Sequence, residues 1–190
     1  MSGSTQGGIT VFGISGSLRR GSYNTAALRA AVELAPPGMR IETFDRLREI
    51  PPYDEDVRQQ GFPPAVADLR ARIKAADALL IVTPEYNYSV PGVLKNAIDW
   101  ASRPPEQPFD GKPIAIMGAS PGAIGTARAQ YHLRQSFIFL NGLVLNRPEV
   151  MIANANQRFD DQGRLTDEKT REFIQALLVA LKDWTERLRH

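Results

Sequence analysis

Between Pro84 and Pro91 the chain reads Glu85-Tyr86-Asn87-Tyr88-Ser89-Val90, which sets aromatic rings, a carboxylate, an amide and a hydroxyl side by side. A loop of that make-up can hold a flat ligand with polar edges. The competing explanation is a surface loop whose tyrosines pack on neighbouring helices, since Tyr is commonly half-buried for packing reasons alone. A second set, SGSLRRGSYN from Ser15 to Asn24, gathers Ser15, Ser17, Arg19, Arg20, Ser22 and Asn24, with glycines at 16 and 21. Hydroxyl donors, main-chain N–H groups at a helix start and arginines that grip an oxyanion by two parallel bonds make a phosphate cradle. A capped helix start would need only one of these side chains, and their density favours the anion. The third set, ASPGAIG from Ala119 to Gly125, comes close to a dinucleotide-binding turn with its first glycine replaced, and Glu149 lies near the distance of a ribose-binding acid. The same spacing suits a tight turn at the edge of a ligand ring, with Ser120 or a neighbouring N–H as donor, or a turn chosen only for helix-on-strand packing.

Other chemistries lack their parts. Around Ser15 the pattern is not the G-x-S-x-G of a hydrolase elbow, because residue 17 is Ser, and the loop lacks the G-K-[ST] ending of a P-loop. Without cysteine there is no disulfide or thiolate chemistry, and His132 and His190 are too far apart to make a familiar zinc site, so no metal is expected. His132, beside Arg128 and Tyr131, reads as a packed or interface residue. Arg103 reads equally as a contact to a cofactor phosphate or as an exposed helix-end arginine, and Asp99 and Trp100 as a helix-end polar group and a packing group.

Elements must aim these loops. Leu79 to Thr83 is a short apolar run without helical period, as expected of a strand buried on both faces, and Ile9 to Ile14 is a further strand. Arg40 to Phe44 and Pro113 to Gly118 are further strands, and Leu143 to Leu145 a fifth, extended irregularly towards Ile152. Helices are expected from Thr25 to Leu34, around Val66, Leu69 and Ile73, behind Gly92 with Val93, Leu94, Ala97, Ile98 and Ala101, and from Thr126 to Leu140. The last helix puts Phe173, Leu177, Leu181, Trp184 and Leu188 on one face, with Thr166 as its N-cap. Asp45 to Pro64 reads as a long irregular connection, often a functional feature. Strands alternating with helices imply a parallel sheet with helices on both faces. The expected fold is α/β: a flavodoxin-like three-layer sandwich with a five-stranded parallel sheet of order 2-1-3-4-5. It forms one domain over 9–190 after a flexible tail, residues 1–8. In that order the three loops meet at one rim, where open α/β sheets bind ligands.

GSLRRGSYN, TPEYNYSVPGVLKNAIDW, TARAQYHLRQ and NRPE together resemble the NADPH-dependent FMN reductase family, and within it the bacterial chromate and quinone reductases. The resemblance covers almost the whole chain from Ile9 into the last helix. It implies FMN as cofactor and NADPH or NADH as electron donor. Ser17, Leu18, Arg19, Ser22 and Asn24 match the FMN phosphate loop. Pro84, Glu85, Tyr86, Asn87 and Tyr88 match the loop lining the isoalloxazine ring, and Ser120 matches the flavin-edge turn. Arg128, Tyr131 and Glu149 match a hydrogen-bonding set that joins two dimers into a homotetramer, which offers Glu149 an interface role in place of ribose binding. The expected activity is NAD(P)H-dependent, ping-pong reduction of quinones through bound FMN, with free flavins, nitro or azo compounds or chromate as further acceptors. The flavin carries the chemistry, so no catalytic acid and base pair is needed.

Composition bounds the rest. The 190 residues, 43% hydrophobic, suffice for one sizeable core. A net charge of +2 from intermixed residues leaves no basic or acidic run for nucleic acid or a membrane surface, yet suits an anionic small ligand. With no membrane-length apolar run and no signal-peptide pattern in MSGSTQGG, a soluble cytoplasmic protein is expected. Two rivals differ in class. A flavodoxin-like electron carrier would be strongly acidic and would not turn over NAD(P)H; a regulatory nucleotide-binding module using the third loop would purify without colour.

Overall fold

The structure, a computed structural model, describes residues 8–189; the expected tail at residues 1–8 lies outside them save for Gly8. Strand β1 (Ile9–Ser15) leads into helix α1 (Tyr23–Glu33), β2 (Met39–Phe44), the short α2 (Glu55–Gln59), α3 (Pro64–Ala75), β3 (Ala78–Val82) and α4 (Gly92–Ala101). Strand β4 (Pro113–Ala119), α5 (Ala127–Phe139), β5 (Leu143–Val144), β6 (Val150–Ile152) and α6 (Glu168–Leu188) complete the chain. All pairings are parallel in the order β2-β1-β3-β4-β5, as expected. The fifth position is shared: β5 pairs with Pro113 and Ile114, and β6 pairs farther along with Met117, Gly118 and Ala119. The irregular extension towards Ile152 is thus a second short strand.

Alternation along the strands explains the three layers, because successive side chains point to opposite faces. Val11, Leu80, Val82, Ala115 and Met117 pack under α1 and α6. Phe12, Leu79, Ile81, Ile114 and Ile116 pack under α3, α4 and α5. Every residue of β3 is buried, which is why its sequence shows an unbroken apolar run.

Two local expectations change. The connection 45–64 is not wholly irregular: it holds a 3-10 turn at Leu47–Glu49 and α2, and it is tied down through α4. Pro51 accepts from Asn96 Nδ2 at 2.8 Å and from the buried indole of Trp100 at 2.9 Å, while Tyr53 N donates to Asn96 Oδ1 at 2.8 Å. The N-cap of α6 is Asp167 rather than Thr166; its carboxylate accepts from Thr170 N at 2.8 Å, whereas the Thr166 hydroxyl donates to Arg158 O. A carboxylate is the better partner there, because it satisfies a free N–H and opposes the positive end of the helix dipole.

Candidate active site

β1 pairs with β2 on one side and β3 on the other, so the loops leaving β1 and β3 diverge and open a crevice at their C-terminal ends. The loop after β4 closes it. Gly118 permits that closure: a Cβ there would lie 2.1 Å from Thr126 Oγ1 and 2.2 Å from Thr83 O, so no side chain fits between β4, the end of β3 and the start of α5.

The first loop starts where Gly16 N donates to Val82 O at 2.8 Å. Ser22 caps α1, accepting from Asn24 N at 3.2 Å and Thr25 N at 3.3 Å. Its β/extended conformation lets the helix begin at Tyr23. Between these fixed ends, the N–H groups of Ser17, Leu18, Arg20 and Gly21 have no acceptor among the described residues. Arg19 is exposed; its guanidinium donates to Gly21 O and lies 5.7 Å from the Tyr23 ring centroid. Unpaired N–H groups beside an arginine suit an anion, as a phosphate needs.

Asn24 is buried, and its amide is already used: Nδ2 donates to Ala119 O at 2.9 Å and Oδ1 accepts from Ala119 N at 2.8 Å. It ties the first loop to the end of β4 through its carbonyl oxygen and one of its two amide N–H groups. Leu18 lines a neighbouring cavity and offers its carbonyl to Arg48 at 2.6 Å.

In the second loop, Tyr86 and Ser89 exchange two main-chain hydrogen bonds of 3.1 and 3.0 Å, and Asn87 and Tyr88 between them have φ of 48° and 66°. This is the geometry of a tight two-residue hairpin turn. Asn tolerates it, whereas an aromatic residue at positive φ is strained and must be held. The holding comes from α5. Arg128 lies over the Tyr88 ring at 3.7 Å, the Glu85 carboxylate accepts from Ala129 N at 3.1 Å and Arg128 Nη1 at 3.3 Å, and His132 Nδ1 meets Ser89 Oγ at 3.0 Å. Thr126 makes no side-chain cap, so Glu85 supplies from another loop the anion that the N-terminus of α5 favours. The third loop is fastened by Ser120 N to Ile152 O at 3.0 Å, and Ser120 Oγ accepts from Gly122 N at 3.1 Å.

The three loops share one open cleft lined by Ser17, Arg19, Ser22, Pro84, Tyr86 and Ser120, with Asn24 and Glu85 also in its wall. Its volume is about 130 Å³. Tyr23, Ala119 and Pro121, not singled out from the sequence, line it as well. Asn87 and Tyr88 stand on the exposed tip of the hairpin, outside this lining. Arg103 lies outside this lining, donating to Asp99 O at 2.9 Å and Ser102 Oγ at 3.0 Å. Among the described residues no hydrogen bond joins Arg128, Tyr131 and Glu149 within the chain; Tyr131 and Glu149 are exposed.

Residues 9–157 match the family described as NADPH-dependent FMN reductase. An NAD(P)H-dependent FMN reductase of Pseudomonas aeruginosa is 66% identical over 181 residues, covering 95% of this chain and 97% of the relative. A quinone reductase of Escherichia coli is 45% identical over 183 residues, covering 95% and 97%. Among solved structures, the flavoenzyme NAD(P)H:(acceptor) oxidoreductase FerB of Paracoccus denitrificans superposes with a TM-score of 0.86 at 37% identity, over 94% of this chain and 98% of that one.

Proposed function

Since the chain belongs to the NADPH-dependent FMN reductase family, we propose that it is a quinone reductase that turns over in a ping-pong cycle through FMN held in the cleft of the three loops. FMN held there would supply the redox chemistry, hydride and electron transfer between NAD(P)H and the acceptor. The protein's own residues bind and orient. The free N–H groups of the first loop and Arg19 hold the phosphate, Tyr86 and Pro84 border the ring, and Ser120 offers a hydrogen bond at its edge. Ser22 and Asn24 contribute by shaping the loop, Leu18 by exposing its N–H, and Glu85 with Asn87 and Tyr88 by keeping the hairpin upright.

The observation that carries this reading is the presence of Arg19 and Tyr86 in one cleft. An open ring face suits alternating stacking partners: first a nicotinamide, then a planar quinone, and by extension free flavins, nitro or azo compounds. Chromate fits as an incidental oxidant drawn by the arginines. The setting is cytoplasmic, where nicotinamide donors are kept reduced. Two dimers joined through Arg128, Tyr131 and Glu149 give a homotetramer, a reading supported by the exposed apolar groups on α5, with Ile138 at 78% and Phe139 at 90% exposure.

The test is a flavin absorption spectrum of the purified protein, then anaerobic reduction with each nicotinamide and steady-state turnover with benzoquinone. Yellow protein bleached by NADPH or NADH and reoxidised by the quinone is the expected result. Colourless protein that takes up no FMN, or flavin that no nicotinamide bleaches, would overturn the proposal.

A further inference from the structure

The carbonyl of Leu18 and the N–H of Arg19 belong to one peptide unit, and each is taken by a different partner. Arg48 Nη2 donates to Leu18 O at 2.6 Å, while Arg19 N donates to Ser17 Oγ at 3.3 Å. The peptide is trans, so its C=O and N–H point opposite ways and fixing one end fixes the other. A serine oxygen that accepts from the main chain keeps its own O–H to give away, and Ser17 has no acceptor for that proton among the described residues. Ser17 lines the cleft of the three loops, whereas Arg48 does not, and the Arg48 guanidinium has no other partner among the described residues. A chain of hydrogen bonds thus runs from Arg48 through the 18–19 peptide to a hydroxyl in the cleft wall.

The fold explains why Arg48 can reach. β1 and β2 pair in parallel up to Ile14 and Phe44, so the loops that leave them start side by side. Arg48 follows buried Leu47 and is followed, after Glu49, by buried Ile50, and Arg46 is held by Glu49 at 2.7 Å and by Asp68 of α3 at 3.3 Å. The turn that carries Arg48 is therefore fixed from the core side. The first loop has few ties of its own: among the described residues, the bond from Arg48 is the one hydrogen bond that reaches residues 17–21 from outside the loop. Rotation of the 18–19 peptide, which that bond opposes, would turn a carbonyl oxygen towards any anion in the cleft and draw the N–H away from Ser17.

We propose that Arg48 is a positioning residue for the flavin phosphate. It touches neither phosphate nor ring, and acts by holding the 18–19 peptide so that Ser17 donates into the cleft and no carbonyl faces the anion. The proposal rests on the flavin reading above.

Three variants separate positioning from charge. Arg48→Met keeps the length of the side chain and loses donor and charge, Arg48→Lys keeps both, and Arg29→Gln takes one positive charge from the same cavity wall. FMN and riboflavin are titrated by flavin fluorescence against each, and amide exchange at Arg19 is followed in the flavin-free proteins. Arg48→Met is expected to weaken FMN by about tenfold, the scale of a lost hydrogen bond to a charged group, and to leave riboflavin, which has no phosphate, unchanged. Arg48→Lys should recover most of that loss, and Arg29→Gln should stay near the parent. In a double-mutant cycle the losses from Arg48→Met and Ser17→Ala should fall well short of additive, because one chain carries both. Exchange at Arg19 should quicken several-fold in Arg48→Met. Additive losses would overturn the proposal by making Arg48 a contact in its own right, and so would an equal loss in Arg29→Gln, which would make the effect one of overall charge. Equal weakening of FMN and riboflavin would overturn it as well, by reducing Arg48 to general support of the loop. Unchanged exchange at Arg19 would show that Arg48 does not hold the peptide. Failure of the parent to take up FMN would instead sink the flavin reading, and the exchange measurement would still decide the hold on the peptide.

Discussion

The guanidinium of Arg128 lies 3.7 Å from the centroid of the Tyr88 ring and also donates to Glu85. One arginine on α5 thus grips both ends of the hairpin that borders the cleft. Tyr88 has φ of 66°, a conformation costing on the order of 1–3 kcal/mol for a residue other than glycine, so the turn keeps its shape only while something holds it. A cation over an aromatic face contributes about 0.5–1 kcal/mol at an exposed site, and a partly screened ion pair a similar amount. Arg128→Ala is therefore expected to loosen residues 85–89 and to weaken FMN several-fold. Arg128→Lys restores the charge without the flat stacking surface, and should recover only part of the affinity. Flavin fluorescence titration of both variants checks this; wild-type affinity in Arg128→Ala would show that the hairpin holds itself.

Asn24 joins the first loop to the end of β4 through both ends of its amide. Asn24→Ala would leave the N–H and C=O of a buried Ala119 unpaired, at roughly 1–3 kcal/mol for each group left without a partner. A lower Tm is expected together with weaker flavin binding, because the loop and Ser120 lose their common anchor. Should Tm hold while FMN affinity falls, Asn24 would be contacting the ligand directly.

Much of this was legible in the residue pattern, for reasons that can be stated. The apolar runs of β3 and β4 are short and without helical period, as strands covered on both faces must be, and the helical repeat behind Gly92 marks α4. The gathering of Arg19, Tyr86 and Ser120 followed from strand order alone, because loops at the C-terminal ends of adjacent parallel strands share a rim. The partners of Asn24 were hidden, since Ala119 lies 95 positions away and carries no side chain that announces a hydrogen bond. The grip of Arg128 on Tyr88 was hidden likewise, for a helix-surface arginine reads the same whether it faces solvent, a second subunit or a ring. Arg48, which holds the carbonyl of Leu18, sits in a stretch whose composition suggested only an irregular connection.

Arg19→Ala separates the anion from the ring. Removing a charged donor from a phosphate costs about 1.5–3 kcal/mol, or about ten- to hundred-fold in affinity. Riboflavin, which lacks the phosphate, should bind the variant and the parent equally. An FMN dissociation constant that does not move would take Arg19 out of the phosphate site.

Tyr131 is half-exposed on α5, one turn from Arg128 and on the same side as Ile138 and Phe139. An aromatic group of this kind is a common anchor of subunit contacts, and its truncation at a well-packed centre costs about 2 kcal/mol or more. On the proposed tetramer, Tyr131→Ala is expected to lower the mass read by light scattering towards that of a dimer. Retention of the parent's assembly would remove Tyr131 from the contact.

The segment that carries Tyr53 has its own acid dependence. Hydrogen bonds from Arg58 and then from Tyr53 bring the carboxyl of Glu55 down to about 2, while desolvation works the other way. A carboxyl held below its ordinary value near 4.5 supports the fold above that value and ceases to do so as pH falls towards about 2. Protonation breaks the link from Glu55 to Arg58 and Tyr53, and Tyr53 is the residue that packs edge-on against Trp100, with ring centroids 4.9 Å apart. Amide protection in residues 53–60, corrected for intrinsic exchange, should therefore decline between pH 4.5 and 2 ahead of the protection of β3. Glu55→Gln should show reduced protection at neutral pH and little further change over that window. Equal loss in both proteins would place the acid sensitivity on another carboxylate.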